Sequence, residues 1–571
     1  MNKGQINKEV MSIAEDVCPV ISLANLPKYM EIMGIKQIMV DIMQRGGSWT
    51  EKEIEKMLYD TINANKYKKH NIGLCKFYLS RKEEKKEIYY IMKLIDFNQR
   101  MQNQYLFIAA SKKRIIERGY KKNYFLNEIE NILYQNDRKI KFKVYEDDQK
   151  IFEELIRNGE TKQKIESKYN KRLIDNFNFI TIKLNELDDQ QFYNFVDNLL
   201  HNTTFILGET QEDPFKSFEN HNVYVVPLSI LEKLRNLTLS QVNFNRRNEV
   251  NEQWNQIFKE IYIDGANMDK TENKFFRNYM LSQGSTSYTY NCFVNKIENL
   301  NDEQIISMLK DIRKSIRYYK IYEEGKINQF INGLLVLDNK QGLPLFMLAF
   351  RLKENKEISE EQFEKICKLI FKLAFCYKFN DELPNKYGPI YKSAIEKILE
   401  ENELKIENKI ENAIEFLRDK VNDRKYGALK GFREKVFYTK KDLEIATYIL
   451  KKIEKNEGTK VSNYEKMEIE HVLPKKRLEE QWTKLKNKHW FKDDVLYRVY
   501  AGKIGNLTLL EREDNSRLKE SNFANKKVIY MQYKNKCILT YRIKEEVKWD
   551  QDTIQKRSKY LCDCLEKMWF K

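Results

Sequence analysis

A short segment near the C-terminus, residues 470 to 527, combines residue types that can do chemistry together. Glu470 and His471 stand side by side in the apolar-alternating stretch MEIEHVLP. Asn506 follows in KIGNLTLL and Asn515 in EREDNSRLKE. A neutral imidazole can deprotonate water near pH 7, and carboxylate and amide oxygens bind hard divalent cations such as Mg²⁺ or Mn²⁺. These residues therefore predict metal-assisted hydrolysis of a phosphodiester, with His471 as the base.

The geometry of a strand restricts how this set can work. Adjacent residues on a strand point to opposite faces, so the strand has to end or bulge where Glu470 meets His471. A proline three positions later is compatible with such an end. Asn506 would hold the histidine-bearing loop by hydrogen bonds. Lys526 and Lys527 would open the last helix close to the phosphate path.

The elements that would position these residues follow in a characteristic order. A strand ends near His471, and after a long loop a second short strand includes Asn506. Asn515 is then expected in a turn, and a helix is expected from about Ser521. Strand, loop, strand and helix, with an acid–histidine pair followed by two asparagines, is the order of a ββα-metal nuclease site. An acid–histidine pair alone is more often structural, so the prediction depends on the whole set.

The first 240 residues predict a mixed α and β region. Thr50 and Glu53 form a capping-box pattern at the start of one helix. Two strands are expected between 72 and 95, joined by the charged stretch SRKEEKK, and FITIKLN at 179–185 is expected to form a further strand. The expected helices in this region span 26–33, 50–64, 101–118 and 186–200.

The middle of the chain, from about 240 to 455, predicts helices nearly throughout, because apolar residues recur with helical spacing. One stretch there, Arg317 to Lys320, combines basic and aromatic residues. It could line a DNA channel, but a packed helix with a solvated face is favoured.

Composition and charge narrow the class of protein. The chain has 571 residues, only 19 glycines and 8 prolines, and a net charge of +17. This charge favours polyanionic partners such as DNA or RNA, with a solvated basic face as the open alternative. Without a long apolar run, a signal-peptide core or a C-x-x-C pair, the sequence predicts a cytoplasmic protein with reduced thiols and no membrane span.

The C-terminal motifs resemble a known family. The pattern IEHVLP, then a tryptophan, then GNLTLL, an asparagine and a late F-x-x-K-K is similar to the C-terminal HNH domain of GmrSD-type modification-dependent restriction endonucleases and of SspE-like phage-defence proteins. The resemblance implies His471 as general base, Asn506 as the residue that positions the loop, and Glu470 and Asn515 as metal ligands, with Asn522 as the alternative to Asn515. The matching positions are Ile469 to Pro474, Trp482, Gly505 to Leu510, Asn515, Phe523, Lys526 and Lys527.

The same family opens with a ParB-like nucleotide-binding domain. Two stretches of this chain resemble its signatures, VDIMQRGGSW with Gln44 and Arg45, and LIDFNQRMQN with Asp96, Gln99 and Arg100. Guanidinium groups bind phosphates bidentately, so the resemblance implies an NTP site. From the residues alone, a buried structural pair between Asp96 and one of the two arginines is favoured.

The second stretch also departs from the family pattern. Phe97 replaces a glycine that would allow backbone to approach a phosphate, and Asn98 replaces a glutamine. Gln102 and Asn103 replace two threonines, and no Walker loop compensates. The degenerate D-F-N-Q-R motif therefore predicts that a nucleotide can bind, and argues against its hydrolysis.

Together these observations predict a predominantly helical α+β protein. A ParB-like sensor domain is expected at 1–240, a helical linker or DNA-channel domain at 241–440 and a ββα-metal nuclease domain at 441–571. The expected function is a metal-dependent DNA endonuclease of bacterial antiviral defence, acting on modified phage DNA and gated by a nucleotide. The alternatives are a nucleic-acid-binding or nucleotide-sensing subunit and an RNA-cleaving toxin. Association with a second copy or with a partner defence protein stays open.

Overall fold

The chain forms two compact units. One comprises Met1–Phe276 and Thr289–Ile316, and the other Arg277–Tyr288 and Arg317–Lys571. The domain boundaries expected at 240 and 440 stay a prediction. The computed structural model describes residues 18–41, 46–84, 87–119, 124–210, 229–263, 265–285, 289–325, 328–380, 382, 386–401, 403–457, 466–475, 494–518 and 521–571.

The first unit is built on a six-stranded mixed sheet with the order β1-β6-β3-β4-β2-β5. Its strands are β1 (Val20–Ser22), β2 (Ile35–Val40), β3 (His70–Glu84), β4 (Glu87–Leu94), β5 (Phe142–Lys143) and β6 (Thr203–Glu209). Strand β2 runs parallel to both β4 and β5, so the carboxyl ends of these three strands meet at one edge of the sheet. Strand β4 leads from that edge into the stretch that contains Asp96.

Helices complete the first part of the chain. They are α1 (Leu26–Ile32), α2 (Glu51–Ile62), α3 (Asn98–Glu117), α4 (Tyr124–Leu133), α5 (Gln149–Asn158), α6 (Lys168–Glu186), α7 (Asp189–Asp197), α8 (Ile230–Gln241), α9 (Arg247–Ile261), α10 (Met268–Ser282) and α11 (Tyr290–Ile297). Helix α3 starts at the parallel edge of the sheet and is buried along most of its length. The capping box between Thr50 and Glu53 at the start of α2 is confirmed.

The strand expected at 179–185 is wrong, because these residues lie inside helix α6. Leu173, Phe177, Ile180 and Leu184 are buried, and their spacing of four, three and four places them on one helix face. The Ser167 side chain caps the first turn. The three consecutive β-branched residues of FITIKLN favoured a strand locally, but the helical spacing of apolar residues over the longer segment determines the structure.

The described residues of the second unit are helical apart from one pair of strands, β7 (Met467–His471) and β8 (Leu507–Glu511). From residue 302 onward the helices are α12 (Asp302–Glu324), α13 (Gln329–Leu337), α14 (Leu343–Glu354), α15 (Glu360–Phe379), α16 (Tyr387–Leu399), α17 (Ile406–Glu434), α18 (Lys440–Asn456), α19 (Asp494–Ala501), α20 (Arg512–Leu518), α21 (Phe523–Tyr530), α22 (Ile538–Tyr541) and α23 (Gln551–Leu565). The predominantly helical α+β class is confirmed.

Two further expectations concern the helical middle and the membrane. Tyr318 and Tyr319 are both buried in α12, which agrees with the packed helix favoured there over a channel lining. Among the described helices, none has the length and the apolar character needed to cross a bilayer.

Candidate active site

The acid–histidine pair lies at the end of a two-stranded antiparallel sheet. Glu470 of β7 stands opposite Thr508 of β8, and His471 stands opposite Leu507. Helices α20 and α21 follow β8 directly in the chain. The order of strand, loop, strand and helix that the sequence predicted is therefore present among the described residues.

Asn506 holds the loop that follows His471. Its Oδ1 accepts hydrogen bonds from the backbone N–H of Leu473 at 2.7 Å and from Trp549 Nε1 at 2.8 Å. Its Nδ2 donates to the carbonyls of Leu473 and Ala501, both at 2.9 Å. The side chain is fully buried, and these four bonds use its two donors and both lone pairs of its oxygen. Asn506 therefore has the geometry of a positioning residue.

Glu470 is buried and bonded to two side chains of α21. Its Oε1 accepts from Lys526 Nζ at 2.5 Å and from the Tyr530 hydroxyl at 3.1 Å. Lys526 Nζ also donates to the backbone carbonyl of His471 at 2.6 Å. Burial raises the pKa of Glu470, and the neighbouring ammonium of Lys526 opposes that rise.

The structure gives Lys526 a different position from the one expected for a phosphate contact. Its side chain is fully buried, because its turn of α21 faces the strand pair, and it neutralises Glu470 there. Lys527 faces outward and is half-buried, with its Nζ donating to the carbonyl of Glu546 at 2.8 Å. Of the two lysines, Lys527 is the one placed to meet a ligand from solvent.

His471 is held as a neutral base. Burial, with the positive charges of Lys475 and Lys526, lowers the pKa of its imidazole to about 4. Its Nε2 is buried and has no hydrogen-bond partner among the described residues. At neutral pH the ring therefore carries one lone-pair nitrogen that can accept a proton or bind a ligand.

Asn515 and Asn522, the two candidates for the metal ligand beside Glu470, differ in their positions and hydrogen bonds. Asn515 lies in helix α20 and not in the expected turn, and its Nδ2 donates to the carbonyl of Ile469 at 3.0 Å. This bond places its side chain beside β7, one residue from Glu470. Asn522 is exposed and caps α21, because its side chain accepts the N–H of Asn525 at 2.9 Å. The geometry favours Asn515 as the residue next to the acid–histidine pair.

Two side chains at β7, Glu470 and Asn515, offer oxygen atoms of the type that a hard divalent cation takes as ligands. The Glu470 carboxylate has lone pairs beyond its two hydrogen bonds, and the amide bond of Asn515 to β7 uses its nitrogen, so that its oxygen is the donor atom for a cation. Among the described residues no group of three or more His, Cys, Asp or Glu side chains could hold a metal ion. A site of one carboxylate and one amide suits Mg²⁺, which keeps several water ligands.

Residues distant in sequence complete this site, and sequence reasoning missed them. Arg557 of α23 donates to the carbonyls of Gly505 at 2.8 Å and Leu507 at 2.6 Å. Ser558 Oγ accepts the N–H of Gly505 at 3.1 Å. A Cβ at Gly505 would lie 2.1 Å from the carbonyl oxygen of Ile554, so only glycine fits there. The glycine in GNLTLL was the only sequence signal of this close approach.

In the first unit, Gln44 and Arg45 lie outside the described residues, as Trp482 does in the second. Gln99 holds the segment that follows Gln44 and Arg45. Its Oε1 accepts the N–H of Ser48 at 2.7 Å, and its Nε2 donates to the carbonyl of Gly46 at 3.1 Å.

The other two residues of the second signature have backbone partners. The Asp96 carboxylate accepts the N–H of Phe97 at 2.6 Å, where the backbone takes a φ of 85°. Arg100 donates to the carbonyl of Ile72 at 2.9 Å, and its guanidinium lies 5.4 Å from the Phe97 ring centre. Phe97 thus adopts the left-handed conformation that the family's glycine would favour.

A buried acid that the sequence did not indicate lies against the same segment. Asp148 accepts from Asn170 Nδ2 at 2.7 Å, and its Oδ2 would be 2.7 Å from a Cβ at Gly46. Burial raises the pKa of Asp148 to about 7. This carboxyl therefore keeps its proton in the folded protein over a pH range in which the unfolded chain has lost it.

We predict that Asp148→Asn flattens the pH dependence of stability. A folded-state pKa above the unfolded value of 3.8 contributes stability that is full below about pH 4 and is lost as pH rises through about 7. The loss amounts to about 4 kcal/mol at most. Relative to the parent, the variant should gain stability between pH 5 and pH 8 in urea unfolding.

A change that removes no charge supplies the control for this measurement. Thr181 of α6 donates to the carbonyl of Phe177 at 2.8 Å, and Thr181→Val should change the unfolding free energy equally at pH 5 and pH 8. A parent protein whose stability is the same at both pH values, with Asp148→Asn changing neither, would contradict the prediction.

Comparison with protein-family models identifies both parts of the chain. Residues 423–564 match the C-terminal domain of GmrSD restriction endonucleases, and residues 30–239 match the N-terminal domain of the same enzymes. The comparison with curated proteins gave no match. The two models cover the strand pair with its helices, five of the six strands of the mixed sheet (all but β1) and the signature stretches. The chain belongs to the GmrSD restriction endonuclease family.

Proposed function

We propose that this restriction endonuclease is a metal-dependent, HNH-type nuclease of bacterial antiviral defence that cuts or nicks DNA with His471 as its general base. The neutral imidazole supports this proposal, because its Nε2 is buried without a hydrogen-bond partner among the described residues, and Asn506 fixes the loop that follows it. A base that is already deprotonated at neutral pH can act without losing a proton first.

Hydrolysis would proceed by attack of one water molecule on the phosphorus atom. The water oxygen forms the new P–O bond, its proton passes to His471 Nε2, and the P–O bond to the leaving sugar oxygen breaks. Glu470 and Asn515 would hold a divalent ion, which supplies polarisation of the phosphate and stabilisation of the leaving oxygen. Asn506 keeps the histidine loop in place through these changes.

Lys526 supports this site from within. Its ammonium bonds to both the Glu470 carboxylate and the His471 carbonyl, so it fixes two consecutive residues of β7. Its positive charge also opposes the rise in the pKa of Glu470 that burial causes, and so favours the ionised form that would bind a cation.

The first unit would act as the sensor that gates cutting, by binding an NTP or by recognising a DNA modification. Gln99 ties helix α3 to the segment that follows Gln44 and Arg45, so a ligand at this edge of the sheet would act on both signatures. Arg100 retains N–H donors beyond its bond to Ile72. Phe97 blocks the close backbone approach that phosphate chemistry needs, which supports binding without hydrolysis.

The first test is the loss of cleavage in His471→Ala. Nicking of plasmid DNA with Mg²⁺ or Mn²⁺ should fall by a factor of about 10² or more, because the proton acceptor is removed. His70→Ala, which alters a half-buried histidine of β3, should cut like the parent. Equal cutting by His471→Ala and the parent would remove this assignment of the base.

The second test separates Asn515 from Asn522. Asn515→Ala should raise the Mg²⁺ concentration for half-maximal cleavage by about tenfold or more, because a ligand oxygen is lost. Asn522→Ala removes a helix cap, so it should lower stability by about 1 kcal/mol and leave the Mg²⁺ dependence unchanged. The opposite pattern would assign the ligand to Asn522.

The third test concerns the sensor. Titration calorimetry of the full chain with each NTP should give binding heat that Arg100→Ala abolishes. Arg118→Ala, just beyond the other end of α3, pairs with Asp189 and serves as the control that retains the heat. The same heat from Arg100→Ala and the parent would eliminate Arg100 as a nucleotide contact.

A further inference from the structure

Helices α15 and α17 of the second unit pack side by side. Two contacts between them show which of their residues lie next to each other. Gln362 of α15 donates to Glu411 of α17 at 3.0 Å near the start of both helices. The rings of Phe379 and Phe432 lie 5.3 Å apart near their ends. The helices therefore run in the same direction, and residues at matching distances between these contacts face each other.

Four cations lie between those two contacts. Lys368 and Lys372 are four residues apart on α15, and Arg418 and Lys425 are seven apart on α17, so each pair shares one helix face. Burial, followed by the positive charges of Lys368, Arg418 and Lys425, lowers the pKa of Lys372 to about 8. The four side chains thus form one positively charged surface, which we call the α15–α17 basic face.

The basic face lacks acidic partners in the described part of the chain. None of its four cations makes an ion pair with a described residue, whereas other cations of the same helices do. Lys365 pairs with Glu361 at 2.8 Å, and Lys420 approaches Asp423 at 3.9 Å. Four neighbouring cations without ion-pair partners among the described residues repel one another and cost folding free energy. A bound polyanion would turn this repulsion into attraction.

Aromatic side chains flank the cations. Lys425 Nζ lies 5.0 Å from the ring centre of Tyr426, whose side chain is 70% exposed. Lys372 Nζ lies 5.7 Å from the ring centre of Phe570. The two cations on α17 are seven residues apart, which corresponds to about 10 Å along the helix. This length exceeds one phosphate group and suits a charged polymer.

We propose that the α15–α17 basic face binds the sugar-phosphate backbone of the DNA substrate. This inference rests on the proposed function and deepens it, because it names a substrate contact outside the acid–histidine site. Contacts to phosphates carry no sequence information and fix the position of the protein on the duplex. The face therefore contributes affinity equally on modified and unmodified DNA.

The test uses the full chain with His471→Ala, which prevents cutting, as the parent. Two pairs of substitutions are added to this parent and compared. Lys368→Gln with Arg418→Gln removes two charges of the face. Lys392→Gln with Lys420→Gln removes two charges that approach Glu396 and Asp423. Binding of a fluorescein-labelled DNA duplex is measured by anisotropy between about 50 and 200 mM NaCl, the range over which phosphate contacts lose affinity.

The face variant should bind about tenfold more weakly near 100 mM salt, and its plot of log K against log salt should be shallower by about 2. The control variant should keep the parent's slope. Equal slopes for both double variants would overturn the inference. A change seen with polyglutamate and absent with duplex DNA would also overturn it and would assign the face to an acidic protein.

Two outcomes separate this inference from the proposed function. If the protein without substitutions cuts DNA but the face variant keeps the parent's affinity and salt slope, only the inference about the basic face is wrong. If the protein without substitutions neither binds nor cuts DNA, both the inference and the proposed function are wrong. The face variant should melt no lower than the parent, because it removes like-charge repulsion, so weak binding is not explained by unfolding.

Discussion

The candidate site depends on the hydrogen bonds of the Asn506 side-chain amide, whose donors and acceptor are all used. This amide bonds to both backbone groups of Leu473, two residues beyond His471, and joins them to Ala501 and Trp549. A buried amide with every hydrogen bond satisfied stabilises one conformation, whereas a partly satisfied one would be costly. The backbone that follows the His471 imidazole, the proposed base, is therefore fixed by a residue that is fully buried.

The electrostatics around the imidazole follow from the same arrangement. Lys475 and Lys526 are close enough to lower the pKa of His471, and burial acts in the same direction. Such a base is always in its reactive form, although a low pKa makes it intrinsically weak. In the proposed reaction, a DNA phosphate would bring negative charge to this position and offset the two cations. Substrate binding would therefore raise the basicity of His471 when it has to accept a proton.

The sequence predicted the local parts of this structure because their signals are local. The capping box at Thr50 and the strand ending in His471 each depend on a few neighbouring residues. The inward position of Lys526 could not be predicted, since it depends on how α21 packs against β7. Arg557 and Trp549 were missed for a similar reason, because they meet the Asn506 loop only after the chain has folded. FITIKLN shows the converse case, in which a local β preference is overridden by a longer helical pattern.

Helix α23 holds the loop at Gly505 and Leu507 by hydrogen bonds, and it is synthesised after that loop. A ribosome releases the chain from its N-terminus, so residues 467–511 emerge well before Arg557 and Ser558. Until those two residues arrive, the carbonyls of Gly505 and Leu507 lack the partners that fix the loop. The loop that holds the backbone after His471 therefore gains its final hydrogen bonds only after α23 has been synthesised.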